Sequence, residues 1–242
     1  MPHIIRISIL ECWNDIDPSR SRYGGYGGLT STWLRSNHRL QQQAEIHIWD
    51  IKNSMEYPNL EDYDVAIIIG SPANPKGEDP WIVKLRAFVN KGLEKEKDKK
   101  FIGFCFGHQI IALACGLSIE SNDAGYELAT TPIQLSEIGK GLFKQDLIYL
   151  NQCHLWSVID NGLGQVQNIG STDHSQVQGL FLPGRLWCLQ AHPEFDPAVM
   201  GQVLDLTRSE LTDEEYRKAR AHNQQKLDQQ VALESLVNFI LE

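Results

Sequence analysis

The sequence predicts an α/β protein built on one mostly parallel, doubly wound sheet with helices on both faces. β-like segments alternate with helix-favouring segments through the first half of the chain, and the run at 65–69 is apolar at every position. A continuous apolar run of this kind is typical of a strand buried on both faces of a parallel sheet. The 242 residues, 42% of them hydrophobic, suffice for one sizeable core. We therefore expect a single domain over 1–242.

The first half of the chain supplies the predicted parallel strands and their helices. Residues 4–10 favour a strand, 11–28 a long loop, and 29–39 a helix whose apolar residues fall near helical spacing. Two further strands are predicted at 45–50 and 64–69, and a helix at about 80–93.

The second half is predicted to contain shorter elements. A strand that enters with Lys-Phe-Ile leads into an apolar helix that includes 110–114, and short β-like segments follow it. These segments are 131–135, 147–150, 166–169, 177–182 and 186–189. The C-terminal part, about 197–242, is polar and favours helices, and no linker separates it as a second domain.

Composition excludes several classes of partner. The net charge of −9 disfavours nucleic acid, whose binding requires clustered lysine and arginine. The longest apolar runs fall far short of the ~20 residues of a membrane span. Five scattered cysteines lack the spacing of a zinc site or disulfide scaffold, so we expect a reducing, cytoplasmic setting. We also expect that the protein needs no metal or organic cofactor.

The stretch GFCFGHQ at 103–109 predicts a nucleophile on a sharp turn. It lies between a short strand and an apolar helix, and glycines stand two residues either side of Cys105. The same spacing occurs in the Gly-x-Ser-x-Gly elbow of α/β hydrolases, in which small residues allow a strained turn. A helix that begins at Cys105 would favour a thiolate there. The alternative is a small buried cysteine in an ordinary strand-to-helix turn.

A second motif, LQAHPEF at 189–195, ends the last β-like segment. Alternation places His192 and Glu194 on the same side of an extended segment, and Pro193 favours that conformation for the residue before it. A carboxylate so placed can orient an imidazole and stabilise its protonated form. The alternative is a surface turn.

Together these motifs resemble those of the class I, triad-type glutamine amidotransferases. That family carries Gly-x-Cys-x-Gly-x-Gln followed by His-Pro-Glu, and both motifs stand here in that order, 87 positions apart. The resemblance to this family covers nearly the whole chain, since it extends to the segments AIIIGSP, VQGLF, RYGGYGG and PWIVKLRAFV. Within the family, the chain is similar to free-standing fungal GMP-synthase-like and γ-glutamyl peptidase-like members. The resemblance implies a flavodoxin-like sheet.

The resemblance also implies roles for particular residues. Cys105 would be the nucleophile, His192 the general base and acid, and Glu194 the group that orients His192. Main-chain N–H groups around Gly70 and Ser71 and at Phe106 would hold the oxyanion. Gln109 would line the γ-glutamyl pocket or stabilise the turn.

Three further features have less certain counterparts in the family. His154 matches the histidine of a His-x-Asp-x-Val element that closes the glutamine pocket in many relatives. Trp156 stands here in place of the aspartate of that element. This departure implies a different recognition of the substrate α-amino group. His108 follows the elbow and is expected to face solvent. The segment SRYGGYGG, 21–28, is either a lid over the catalytic edge or a flexible turn.

Three functions are consistent with the sequence. The first is cysteine-dependent hydrolysis of a γ-glutamyl-type amide in a peptide or small molecule through a thioester. The second is an amidase subunit that supplies ammonia to a separate synthase. The third, of another class, is a binding or regulatory module with a dormant triad, because fold alone does not fix function. The intact Cys105, His192 and Glu194 favour an enzyme.

Overall fold

A computed structural model describes residues 4–13, 22–223 and 225–242, and we number its elements in chain order. The first half contains β1 (Ile5–Glu11), α1 (Tyr26–Arg35), α2 (His38–Gln43), β2 (Ala44–Asp50), a 3₁₀ turn (Leu60–Asp62), β3 (Val65–Ile68), α3 (Pro80–Lys95), β4 (Lys100–Phe104) and α4 (Phe106–Ala114). The second half contains β5 (Ser118–Ser121), β6 (Glu127–Leu135), α5 (Glu137–Phe143), β7 (Leu147–His154), β8 (Trp156–Ile159), β9 (Gln167–Asn168), β10 (Gly170–Ser171), β11 (Gly179–Leu182), β12 (Leu186–Leu189), α6 (Pro197–Leu206), a 3₁₀ turn (Arg208–Glu210), α7 (Asp213–His222) and α8 (Gln229–Leu241).

A seven-stranded sheet in the order β2-β1-β3-β4-β12-β11-β9 forms the centre of the molecule. The five strands from β2 to β12 pair in parallel, and β11 and β9 extend the sheet antiparallel. Every residue of β3 is buried, as its apolar run predicted. The mostly parallel sheet expected from the sequence is therefore confirmed. Separate antiparallel pairings join β10, β6 and β7, and β5 with β8.

Helices cover both faces of this sheet because side chains alternate along each strand. On β4, Phe101 packs against Phe88 of α3, while Phe104 points the other way and contacts Trp33 of α1. The face that holds Phe104 is also covered by α8, whose Ser235 accepts a hydrogen bond from Trp187 Nε1. Within the described residues no helix is both long enough and apolar enough to span a bilayer.

The glycine-rich stretch after β1 differs from the loop that we predicted over 11–28. Residues 14–21 of that prediction lie outside the described residues, but Tyr26 already begins α1. The cause is a buried carboxylate: Glu11, at the end of β1, accepts a hydrogen bond of 2.7 Å from the N–H of Gly27 in the first helical turn. A Cβ atom at Gly27 would lie 2.7 Å from Ile48 and 3.0 Å from Glu11 Oε1. The glycines of this stretch therefore let a helix start against a buried anion.

The helix predicted over 29–39 is two helices in the structure. α1 ends at Arg35, and the side chain of Asn37 accepts a hydrogen bond from the N–H of Arg39 to begin α2. An asparagine favours this N-cap position because its side-chain oxygen satisfies a helix N–H that has no carbonyl partner. The break at Asn37 follows from this local capping.

The turn from β4 to α4 requires both of its glycines. Cys105 has φ 49° and ψ −106°, a region that costs a residue with a side chain on the order of 1–3 kcal/mol. A Cβ atom at Gly103 would lie 2.6 Å from the backbone of Gly107, and one at Gly107 would lie 2.1 Å from the carbonyl oxygen of Ile68. The helix thus starts in direct backbone contact with β3 and β4, and the motif spacing is a packing requirement.

Replacing Gly107 by alanine should destabilise the fold, because its new methyl group would meet the Ile68 carbonyl at 2.1 Å, where backbone cannot yield as a side chain can. We expect the free energy of unfolding to fall by about 1–3 kcal/mol, measured by urea denaturation. Gly141→Ala in α5 is the matched control, since a Cβ atom there meets nothing within 4 Å. The control should be neutral or up to about 1 kcal/mol more stable. Equal urea midpoints for the two variants would contradict this packing.

Candidate active site

The two predicted motifs meet at the carboxyl edge of the sheet. β4 and β12 run parallel with Phe104 opposite Leu189, so the residues that follow each strand leave the sheet side by side. The N–H of Cys105 donates to the carbonyl oxygen of Leu189 at 2.9 Å. The pairing brings Cys105 and the segment that carries His192 together despite their separation in sequence.

His192 is held on three sides. Its Nδ1 lies 2.9 Å from Oε1 of Glu194, and both side chains are buried. The ring of Phe195 stacks on the imidazole with centroids 4.0 Å apart. The His192 N–H donates to the carbonyl oxygen of Asn151 at 2.8 Å, and the Asn151 amide donates back to the carbonyl oxygen of Phe195 at 2.9 Å. The imidazole therefore has little freedom to turn, and a neutral ring that donates from Nδ1 to Glu194 leaves Nε2 free as a base.

Nearby negative charge raises the pKa of His192. Burial alone would lower the pKa of His192, but the negative charges of Cys105 and Glu194 and hydrogen bonds to both outweigh it and raise the pKa to about 10. The site therefore pairs Cys105 with an imidazole whose protonated form is favoured, and a carboxylate lies behind that imidazole.

The predicted oxyanion residues lie next to this pair. A Cβ atom at Gly70 would lie 2.5 Å from Cε1 of His192, so only glycine allows the imidazole its position. The side chain of Ser71 accepts a hydrogen bond of 3.2 Å from the N–H of Ala73 and shapes the loop after β3. Phe106 is the first residue of α4, and its N–H consequently has no carbonyl partner within the helix.

Gln109 and His154 support the wall of the site from behind. The Gln109 amide donates to the carbonyl oxygen of Trp156 at 2.7 Å and to Oε1 of Gln190 at 3.1 Å. This arrangement favours the structural alternative for Gln109, although its side chain also borders the cavity. His154 has the same Trp156 carbonyl 3.0 Å from Nδ1 and the Glu127 carboxylate 2.8 Å from Nε2.

Glu127 and His154 form a buried hydrogen-bonded pair. Burial raises the pKa of Glu127, but its hydrogen bond to His154 and the charge of that ring lower it further than burial raises it. Gln178 donates a further hydrogen bond of 2.7 Å to Glu127. The ring of His154 is thus engaged with protein groups rather than open to a ligand.

His108 does not face solvent as the sequence suggested. It is fully buried in α4, and burial together with the charge of His154 lowers its pKa to about 3. The side chain is therefore neutral. It does not border the cavity beside Cys105, so it belongs to the core.

A cavity of about 360 Å³ opens beside Cys105. Of the predicted site residues, its described walls include Cys105, His192, Glu194, Gly70, Ser71, Gln109 and His154. One wall is a row of aromatic rings that starts at His192: Phe195 is followed by Tyr26 at 5.6 Å, and Tyr26 stacks on Trp13 at 4.7 Å. The segment 21–28 thus contributes Tyr26 to the cavity from a helix.

Sequence analysis missed several residues of this site. Phe195 follows His-Pro-Glu directly, and that adjacency was the only signal for it. Glu127 meets His154 through the antiparallel register of β6 and β7, which no motif encodes. Glu210 borders the cavity from the polar C-terminal part, where the sequence offered no motif.

The fold and these motifs define the family. The family model for class I glutamine amidotransferases matches residues 26–205, and the chain belongs to that family, as the sequence indicated. It is 31% identical to a glutamine amidotransferase-like protein of Schizosaccharomyces pombe over 98% of each chain. It is also 26% identical to γ-glutamyl peptidase 2 of Arabidopsis thaliana, over 84% of this chain and 81% of that protein.

Solved structures show the same fold. A glutamine amidotransferase from Thermotoga maritima superposes with a TM-score of 0.78 at 16% identity, over 99% of this chain and 100% of that one. A glutamine amidotransferase from Methylobacillus flagellatus superposes with a TM-score of 0.77 at 15% identity, over 100% of this chain and 95% of that one.

The imidazole of His192 should remain protonated well above neutral pH, with a midpoint near 10, when its ring nitrogens are followed by NMR. In Cys105→Ala the midpoint should fall, because the negative charge of Cys105 is the largest influence that raises it. Since the folded pKa exceeds the ordinary value of 6.5, the imidazolium stabilises the fold fully below that pH, and this contribution is lost as pH rises through about 10. An unchanged midpoint in Cys105→Ala would contradict direct coupling of the two side chains.

Proposed function

We propose that this protein hydrolyses a γ-glutamyl-type amide through a thioester on Cys105. One observation carries the proposal: Cys105 and the His192–Glu194 pair border the same cavity, and the charge of Cys105 raises the pKa of His192. The relatives named γ-glutamyl peptidases, which match more than three quarters of the chain, support a hydrolase and a small γ-glutamyl substrate. The proposed hydrolysis needs no metal or organic cofactor.

In the first half of the proposed reaction, the Cys105 thiolate attacks the γ-carbonyl carbon and forms a C–S bond. The oxyanion accepts hydrogen bonds from the N–H of Phe106 and from main-chain groups around Gly70 and Ser71; one such donor is typically worth a factor of ~10² to 10³ in rate. His192 gives its proton to the departing nitrogen as the C–N bond breaks. The products of this half are an amine and a thioester on Cys105.

In the second half, water replaces the amine. The thioester carries no thiolate charge, so His192 loses the influence that most raised its pKa and can act as a base. It takes a proton from the water as the oxygen attacks the thioester carbon. The C–S bond then breaks, the γ-carboxylic acid leaves and gives its remaining proton to solvent, and Cys105 returns as a thiolate beside the imidazolium. Glu194 holds the ring orientation throughout.

The purified protein should release glutamate from γ-glutamyl-alanine, γ-glutamyl-phenylalanine or γ-glutamyl anilide more efficiently than from L-glutamine. Cys105→Ala should lower kcat/KM by about 10⁴-fold or more, because it removes the nucleophile. The matched control is Cys115→Ala, a partly buried cysteine at the end of α4 that does not border the cavity; its kcat/KM should stay within about twofold. Efficient turnover of L-glutamine with free ammonia would instead favour the amidase subunit of a separate synthase.

A glutamine-like chloroketone at substoichiometric concentration should alkylate Cys105 before the other four cysteines, as read by peptide mass spectrometry. Burial raises the pKa of Cys115 to about 11 and the pKa values of Cys12 and Cys188 well above their ordinary range. Burial and the negative charge of Cys105 likewise raise the pKa of Cys153. Reaction at these cysteines before Cys105, with no turnover of any amide above, would favour the binding module over the enzyme.

A further inference from the structure

The cavity beside Cys105 has an uneven distribution of charge. Its described walls carry the carboxylates of Glu194 and Glu210, and among them there is neither lysine nor arginine. Glu194 is buried and hydrogen-bonded to Nδ1 of His192, so it is already paired with a protein group. Glu210 is exposed, and its carboxylate can reach a ligand. The cavity therefore offers an anion to a positively charged group.

Glu210 is positioned by hydrogen bonds, and no lysine or arginine among the described residues forms an ion pair with it. It ends the 3₁₀ turn Arg208–Glu210, and its N–H donates to the carbonyl oxygen of Thr207 at 2.9 Å. The hydroxyl of Tyr126, which also borders the cavity, donates to the Glu210 carboxylate. Arg208 in the same turn is directed instead to the carbonyl oxygen of Leu211 and to the carboxylate of Asp213. Among the ion pairs between described residues, none includes Glu210.

Cys153 relates Glu210 to the nucleophile. The carbonyl oxygen of Cys153 lies 3.6 Å from Sγ of Cys105. Its thiol, in turn, is close enough to both Cys105 and Glu210 for their negative charges to raise its pKa, in addition to the effect of burial. Cys105, Cys153 and Glu210 all border the same cavity. A γ-glutamyl group has its ammonium group on the carbon three bonds from the carbon that Cys105 would attack, so the group that binds the ammonium must border the same cavity.

We propose that Glu210 binds the α-ammonium group of the substrate, an inference that rests on the proposed hydrolysis of a γ-glutamyl amide. The substrate class is then a γ-glutamyl amide with a free α-amine, rather than a glutamine residue whose nitrogen is in a peptide bond. With the ammonium group at Glu210, the departing amine lies at His192, which protonates it. The substituent of that amine then lies along the aromatic row of Phe195, Tyr26 and Trp13. Glu210 lies outside residues 26–205 that match the family model, so this specificity belongs to the C-terminal part of the chain.

The test compares the best substrate of the panel (L-glutamine, γ-glutamyl-alanine, γ-glutamyl-phenylalanine and γ-glutamyl anilide) with its Nα-acetyl derivative. The unmodified protein should favour the free amine by about tenfold or more in kcat/KM, the factor that one hydrogen bond to a charged group provides. In Glu210→Gln the preference should fall to about twofold or less. KM for the free amine should rise about tenfold while kcat stays within about threefold, because the reacting atoms are untouched.

Glu214→Gln is the matched control. Glu214 is an exposed glutamate four positions further along, on α7, where it pairs with Lys218 and does not border the cavity. This variant removes the same charge from the same region and should keep the full preference for the free amine. If Glu210→Gln also kept it, another group would bind the ammonium and the assignment would be wrong. An unmodified protein that cleaves both forms equally well would overturn this inference alone, whereas no turnover of any panel member would overturn the proposed hydrolysis with it.

Discussion

Four residues of β4 pair in parallel with four residues of β12, and the last pair, Phe104 with Leu189, sets where both segments leave the sheet. The chain turns sharply at Cys105 after one strand and extends to His192 after the other. A shift of one residue in this register would turn each side chain to the opposite face of the sheet. The relative placement of Cys105 and His192 is therefore fixed by backbone hydrogen bonds inside the core, and the strained conformation of Cys105 is maintained by the same pairing.

Glycine makes this arrangement possible at three places around the site. Gly103 and Gly107 let α4 start in contact with the sheet, and Gly70 gives the His192 ring its space. At each place the atom that a side chain would meet belongs to backbone or to a ring held by neighbours. The crowding has a chemical consequence, since it keeps His192 out of water. Nearby negative charge acts on a buried imidazole more strongly than it would in solvent.

A buried polar network supports the opposite wall. The carbonyl oxygen of Trp156 receives hydrogen bonds from Gln109 and His154, and His154 continues to Glu127 and Gln178. Buried polar groups are costly unless they are paired, so this network strongly favours one arrangement of β6, β7 and α4. At the edge formed by Tyr126 and Glu210 the wall instead carries polar groups that reach solvent.

The sequence by itself determined the family, the mostly parallel sheet and the candidate residues Cys105, His192 and Glu194. These are local signals: a glycine spacing that a tight turn requires, a proline that favours an extended residue before it, and apolar runs with the length of buried strands. Only the tertiary structure decided which groups surround the candidate residues. Strand register and the packing of a C-terminal turn determine the positions of Glu127, Phe195 and Glu210. His108 is neutral because it is fully buried in α4. Such positions depend on contacts between residues far apart in the chain, which short sequence patterns do not encode.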